Sequence, residues 1–196
     1  MNGIRERLED SEKVLVGLGG EWRGVSYEKM KELLQGRDYF IVTTVTDGKI
    51  LESGLDPAKI VAPCGNETWR QCSKSCTKDI WEMGEVPDGL CPHCKAPLTG
   101  NTIKADQYIE EGYLPQWSVY TKWLTGTLNK KLVILELGVG FQTPTVVRWP
   151  FEKTAFFNQK SYMYRINEKF SQITEELKGR AEGIAENSVE FINKLQ

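Results

Sequence analysis

The chain is nearly without histidine: there is one, His93, in 196 residues. A catalytic imidazole anywhere outside the stretch around it is therefore excluded. Net charge is also scarce. The 25 Lys and Arg nearly balance the 27 Asp and Glu, leaving −2. That balance gives no whole-chain electrostatic drive toward nucleic acid or an anionic membrane. No apolar run approaches the roughly 18 residues that would span a bilayer. The segment from Met1 to Ser11 is charged, unlike a secretory signal. These absences lead to the expectation of a soluble, cytoplasmic protein, with neither nucleic acid nor membrane as partner. What is present suffices for a core. Hydrophobic residues make up 40% and aromatics 10%, which excludes wholesale disorder. The length fits one large domain, or one domain with a small module inserted.

The five cysteines, Cys64, Cys72, Cys76, Cys91 and Cys94, all fall within 31 residues. An odd, tightly clustered set does not read as a disulfide framework. The last four read Cys72-x3-Cys76-x14-Cys91-x2-Cys94. Two short-spaced thiolate pairs can close a tetrahedral site, and soft thiolates suit zinc. The expectation is a structural zinc ribbon held by these four, with His93 pointing outward from the Cys-Pro-His-Cys turn. Cys64 is left over as a single thiol.

Along the chain, a short amphipathic helix at residues 3–10 precedes a buried strand from Lys13 that runs into Gly17-Leu-Gly-Gly20. Ser26 is placed to cap a helix over 27–35, which Gly36 ends. Further strands are expected at 38–44, 59–62, 131–137 and 161–166. Further helices are expected at 50–54, 117–128 and 146–153, with Pro150 limiting the last. Residues 107–116 read as loop. The cysteine stretch, rich in Pro, Gly and Asp, reads as having little regular structure. Residues 175–195 read as one charged helix, with Ile184, Val189, Ile192 and Leu195 on its apolar face. Strands alternating with helices predict an α/β fold, a Rossmann-like parallel sheet covered on both faces. Residues 1–63 and 99–196 form that domain, and 64–98 form the inserted zinc-ribbon module.

Parallel sheets bind ligands beyond the carboxyl ends of their strands. The expected strand ends are Gly17–Gly20, Thr43–Asp47, Gly138–Gly140 and Ile166–Asn167, all along one edge. Each feature alone has two readings. Gly17-x-Gly19 opens a dinucleotide fingerprint, though position 22 is Trp, or it is a tight turn. Asp47 bonds ligand hydroxyls or caps a helix. Gly138 and Gly140 lie under a phosphate or let the chain turn. Asn167 contacts a ribose or satisfies a turn.

Their order is more specific. A glycine-rich first strand is followed by a Thr-Thr-x-x-Asp strand end, then CxxxC and CxxC pairs. After these come LELGVGFQTPTVVRWPFE and an Ile-Asn strand end. Together these resemble the sirtuins, most closely the bacterial branch that includes macrodomain-linked forms. The resemblance covers most of the chain to about Asn167. It implies a dinucleotide-binding Rossmann domain with an inserted zinc ribbon and NAD in the cleft between them. It assigns Gly17, Gly19, Asp47, Gly138, Gly140 and Asn167 to the cofactor. It also implies an acyl-lysine or another nucleophile attacking the ribose carbon as nicotinamide leaves, and hence a protein substrate or partner.

The departures bear on activity. The family's first turn usually reads Gly-Ala-Gly-Ala-Ser; here it ends in Glu21, a charge expected to repel a diphosphate. The cofactor loop and part of the small domain are missing before the second strand. The Asn of the Thr-x-Asn-x-Asp element is Val45. The catalytic histidine position holds Cys64, the candidate catalytic residue here, or a small buried filler of that space. Gly138-Val-Gly140 replaces Gly-Thr-Ser. The resulting expectation is a protein that binds NAD or ADP-ribose. Its chemistry, where it has any, is ADP-ribosyl transfer or deacylation. Deacylation is the weaker of the two, because it needs a base. The alternative is a catalytically inactive, zinc-stabilised interaction module.

Overall fold

The computed structural model describes residues 2–195. In chain order its elements are α1 (Asn2–Asp10), β1 (Lys13–Leu18), α2 (Glu28–Leu34), β2 (Tyr39–Thr43), β3 (Ile60–Val61), β4 (Gly65–Cys72), β5 (Trp81–Glu82), β6 (Leu98–Thr102), α3 (Leu114–Thr125), β7 (Leu132–Leu137), α4 (Arg148–Phe157), β8 (Ser161–Ile166), β9 (Ala181–Ile184) and α5 (Ser188–Lys194). Six strands form one parallel sheet in the order β3-β2-β1-β7-β8-β9. The fold is a Rossmann-like α/β sheet, as the alternation of elements predicts.

β1 and β7 sit at the centre and are buried on both faces, which explains their apolar runs, interrupted within the strands only by Gly17 and the buried Glu136. Alternate residues feed two cores. Val14, Val16, Leu18, Ile41 and Leu135 pack with Leu8, Met30, Leu34 and Ile192 of α1, α2 and α5. Leu15, Phe40, Val42, Ile134 and Met163 pack with Tyr120, Phe151 and Ala155 of α3 and α4. Gly17 belongs to the second face. A Cβ there would lie 2.4 Å from Val147 and 2.7 Å from Phe151, so glycine lets α4 seat on the sheet.

The stretch expected to lack regular structure instead carries a three-stranded antiparallel sheet, β5-β4-β6. Its ladder needs little apolar patterning, because the cysteine cluster supplies the small core with Ala96, Trp81 and Leu98. The expected long final helix is also replaced. A short turn at Glu175–Leu177 leads into β9, a sixth parallel strand, and then α5. Gly179, at φ +82°, stops the chain from continuing as helix. Gly183 is needed because a Cβ there would sit 2.0 Å from the Ser171 carbonyl oxygen. Asn187 then caps α5, accepting from the amides of Val189 and Glu190. Pro150 does not limit α4, because it falls in the first turn, where its missing amide has no intrahelical partner. No helix among the described residues is long and apolar enough to cross a membrane.

Candidate functional site

The strand order reverses between β1 and β7, since β2 and β3 lie to one side and β8 and β9 to the other. Such a reversal leaves a crevice at the carboxyl ends of the strands. A cavity of about 940 Å³ opens there. Its walls are Gly20, Glu21 and Arg23 after β1, Thr44–Thr46 after β2, Gly138–Thr143 after β7 and Asn167–Phe170 after β8. The second sheet closes it with Thr102, Ile103 and Lys104, and Cys64 lies between the two sheets.

Of the six glycine, aspartate and asparagine residues expected to meet a cofactor, three line this cavity: Gly138, Gly140 and Asn167. Gly138 sits at φ +65°, and a Cβ there would come within 2.6 Å of the Glu21 Cβ. Asn167 is buried and orders the rim. It accepts from the amides of Lys169 and Phe170 at 2.9 and 2.8 Å, and donates to the Val139 carbonyl at 3.1 Å. Gly17, Gly19 and Asp47 lie outside the lining. Gly19 lets two strand ends meet, because a Cβ there would be 2.2 Å from the Gly138 carbonyl oxygen. Asp47 accepts from the amides of Gly24 and Lys49 at 2.7 and 3.2 Å, holding the turn on which Arg23 stands. Gly20 does line the cavity, and a Cβ added there meets nothing within 4 Å. Bare backbone therefore faces the open space, as close approach of a phosphate requires.

The Glu21 carboxylate lines the cavity but is tied by three hydrogen bonds. One carboxylate oxygen accepts from the Ser188 amide and hydroxyl, both at 2.6 Å. The other accepts from the Glu168 amide at 3.1 Å. Three cations line the walls: Arg23, Lys104 and Lys169. Arg23 spans the two sheets, meeting Glu67 at 2.7 Å, while Thr46 donates to the same carboxylate at 2.8 Å. These contacts hold the Glu67 carboxyl below its ordinary range.

Cys64 is 2% exposed, with its sulfur 4.0 Å from the Thr143 hydroxyl. Burial pushes the thiol up, against the opposing bond to Thr143, so it stays protonated at neutral pH. The other four cysteines converge, with their sulfurs all within 4.8 Å of one another. Cys72 stands 3.5 Å from both Cys76 and Cys94, and Cys76 stands 3.5 Å from Cys91. Tetrahedral zinc with bonds of about 2.3 Å sets its sulfurs about 3.8 Å apart, so the cluster fits the ion. His93 turns away to Asp79, at 2.7 Å.

Sequence reasoning missed Arg23, Lys104, Phe141, Thr143 and Phe170 as wall residues. Phe141 directly follows Gly140 and Phe170 lies three positions past Asn167, so both were within reach of a motif. Lys104 carries no such signal, since the antiparallel sheet alone brings it to the cavity.

No protein-family model matches the chain. Among curated proteins it is 27% identical over 186 positions to a protein ADP-ribosyltransferase of Staphylococcus aureus, covering 84% of this chain and 58% of the relative. It is also 27% identical over 141 positions to a probable bifunctional ADP-ribose hydrolase/ADP-ribosyltransferase of Fusarium oxysporum f. sp. cubense, covering 60% of this chain and 23% of that one. The chain thus spans little more than half of the first relative and about a quarter of the second. Solved structures align over the whole chain. Sir2Tm bound to a propionylated peptide gives a TM-score of 0.68 at 12% identity, covering 96% of that structure. Sir2 in complex with the inhibitor EX-527, 2'-O-acetyl-ADP-ribose and a deacetylated p53 peptide gives 0.65 at 14%, covering 97%. The fold is sirtuin-like.

Proposed function

We propose that this chain binds NAD and ADP-ribose in the cavity at the β1/β7 strand reversal, and that it transfers ADP-ribose to a protein acceptor. The cavity is the observation that carries the reading: it lies where nucleotides bind in open parallel sheets, with bare glycine backbone and three cations on its walls. The relatives named for ADP-ribosyl transfer, and the solved Sir2 holding an ADP-ribose derivative, support it. The neighbours crystallised with peptides support a protein as the acceptor.

The residues divide the work. Gly20, Gly138 and Gly140 let main chain approach the diphosphate, while Arg23, Lys104 and Lys169 offset its charge. Asn167 holds the rim on which the ribose rests. NAD, when bound, would supply a ribose carbon whose bond to nicotinamide is exchanged for one to a heteroatom of the acceptor; nicotinamide leaves neutral and the acceptor's proton passes to solvent. Cys64, kept protonated by its burial, is a wall and not a base. That favours transfer to an acceptor over deacylation, which requires a base for a ribose hydroxyl. The four-cysteine cluster takes one structural zinc ion, which fixes the antiparallel sheet and with it Thr102 and Lys104.

The test is incubation of the zinc-loaded chain with NAD labelled in its adenine part and a set of candidate acceptor proteins. Label on an acceptor with matching release of nicotinamide is the expected result. Nicotinamide release matched by deacylation of an acyl-lysine peptide, with no label transferred to protein, would contradict the transferase reading.

A further inference from the structure

Two of the cavity's walls are irregular loops, residues 138–143 and 167–172, following the neighbouring strands β7 and β8. Loops of this kind are ordinarily the mobile part of a site. Here they are tied together from beneath by a residue outside the cavity lining. Arg148, in the first turn of α4, is 4% exposed. Its Nη1 donates to the Phe170 carbonyl at 3.1 Å and stands 3.5 Å from the Val139 carbonyl, so one guanidinium reaches both loops. Its guanidinium carbon also lies 4.2 Å from the centre of the Phe141 ring, which stands on the cavity wall.

The charge is anchored in turn. Glu136 of β7 accepts from Arg148 at 3.3 Å and from Arg165 through two bonds of 2.6 and 2.8 Å. Arg165 donates to the Gln172 carbonyl at 2.7 Å and meets Glu152 at 2.8 Å. Glu136 and Arg165 are each 1% exposed. A buried ionic network of this sort adds little stability over apolar residues of the same shape. What it adds is geometry, since planar guanidiniums fix carbonyls in direction as well as distance.

We propose that Arg148 is the positioning residue of the nucleotide site: it latches the 138–143 loop to the 167–172 loop and sets Phe141 and Phe170 in the cavity wall. The effect on affinity rests on the reading that the cavity takes ADP-ribose; the latch itself does not.

The experiment compares the zinc-loaded chain with its Arg148→Met and Arg148→Lys variants. Three quantities are measured: the melting curve, amide exchange peptide by peptide, and calorimetric titration with ADP-ribose well below the melting transition. Both variants are expected to exchange faster by roughly tenfold in 138–143 and 167–172, with β1 and β7 still protected. ADP-ribose affinity is expected to fall at least tenfold, about 1.4 kcal/mol, in Arg148→Met. Arg148→Lys should lie between, since an ammonium keeps the charge opposite Glu136 but loses the flat guanidinium face against the Phe141 ring. A merely structural role would lower the melting temperature and leave the folded protein's loops and affinity unchanged; that outcome overturns the proposal. Should the wild type bind no ADP-ribose, the nucleotide reading fails by itself and loop exchange decides the latch. Should Arg148→Met not fold, Arg148→Lys, which keeps the charge opposite Glu136, takes its place in all three measurements.

Discussion

Replacing Glu21 by alanine tests whether its charge serves the fold or faces the ligand. The carboxylate accepts three hydrogen bonds, two from Ser188 and one from the Glu168 amide. Ser188 is fully buried, so its amide has no water to turn to when the carboxylate goes. The Ser188 hydroxyl still accepts from the Trp22 indole N–H at 3.0 Å, but its own proton loses its acceptor; the Glu168 amide is exposed enough to be hydrated. The loss is thus two buried donors, the Ser188 amide and hydroxyl, left without their charged acceptor, about 2–4 kcal/mol together. For a chain of this size that lowers the melting temperature by roughly 5–10 °C, read by circular dichroism. Glu21→Gln retains a carbonyl acceptor for Ser188 and should fall between. It should also leave ADP-ribose affinity within about threefold. An alanine variant melting within about 2 °C of the wild type would show that Glu21 does not anchor α5. A glutamine variant binding ADP-ribose more than about tenfold tighter would show that the charge does oppose the ligand.

Three further outcomes follow from the same geometry. Gly138→Ala forces φ +65° on a residue with a Cβ and drives that Cβ to 2.6 Å from Glu21. Its denaturation midpoint should fall by the equivalent of about 2–4 kcal/mol, and an unchanged midpoint would contradict the placement of this turn. Cys91→Ser removes a fully buried sulfur from the cluster. One equivalent of zinc should be lost and residues 65–102 should become the first site of proteolysis; a metal-free variant equally resistant would contradict a structural ion. Burial raises the Cys64 thiol, so its thiolate forms only above the ordinary pH range of a cysteine. In the zinc-loaded chain, Cys64 alkylation should be negligible at neutral pH and rise only above the pH at which an exposed cysteine reacts. Rapid labelling at neutral pH would restore Cys64 as a candidate base.

The parallel sheet was legible because β1, β2 and β7 are buried on both faces and read as mostly apolar runs, while β8 carries Tyr162, Met163, Tyr164 and Ile166 around the buried Arg165. The cysteine cluster was legible because thiolate spacing reports directly on a tetrahedral site. The tail was not. Its charges suggest helix, whereas the left-handed Gly179, the pairing with β8 and the close approach of Ser171 to Gly183 make that segment a strand. The walls of the cavity were half legible. Gly138, Gly140 and Asn167 stand at strand ends, where sequence order alone places them. Lys104 reaches the same cavity from the second sheet, and the partners of Glu21 lie 147 and 167 positions away in sequence. Local pattern carries no trace of such contacts, so Glu21 read only as a charge at the cavity, while its carboxylate is also a tie between the β1 turn and the tail.

Calorimetric titration of the zinc-loaded wild-type chain with ADP-ribose tests the central claim most directly. The account predicts saturable one-to-one binding, with a dissociation constant on the order of 10–100 µM. Absence of binding at millimolar ADP-ribose, with the protein folded and its zinc in place, would contradict a nucleotide site at the strand reversal.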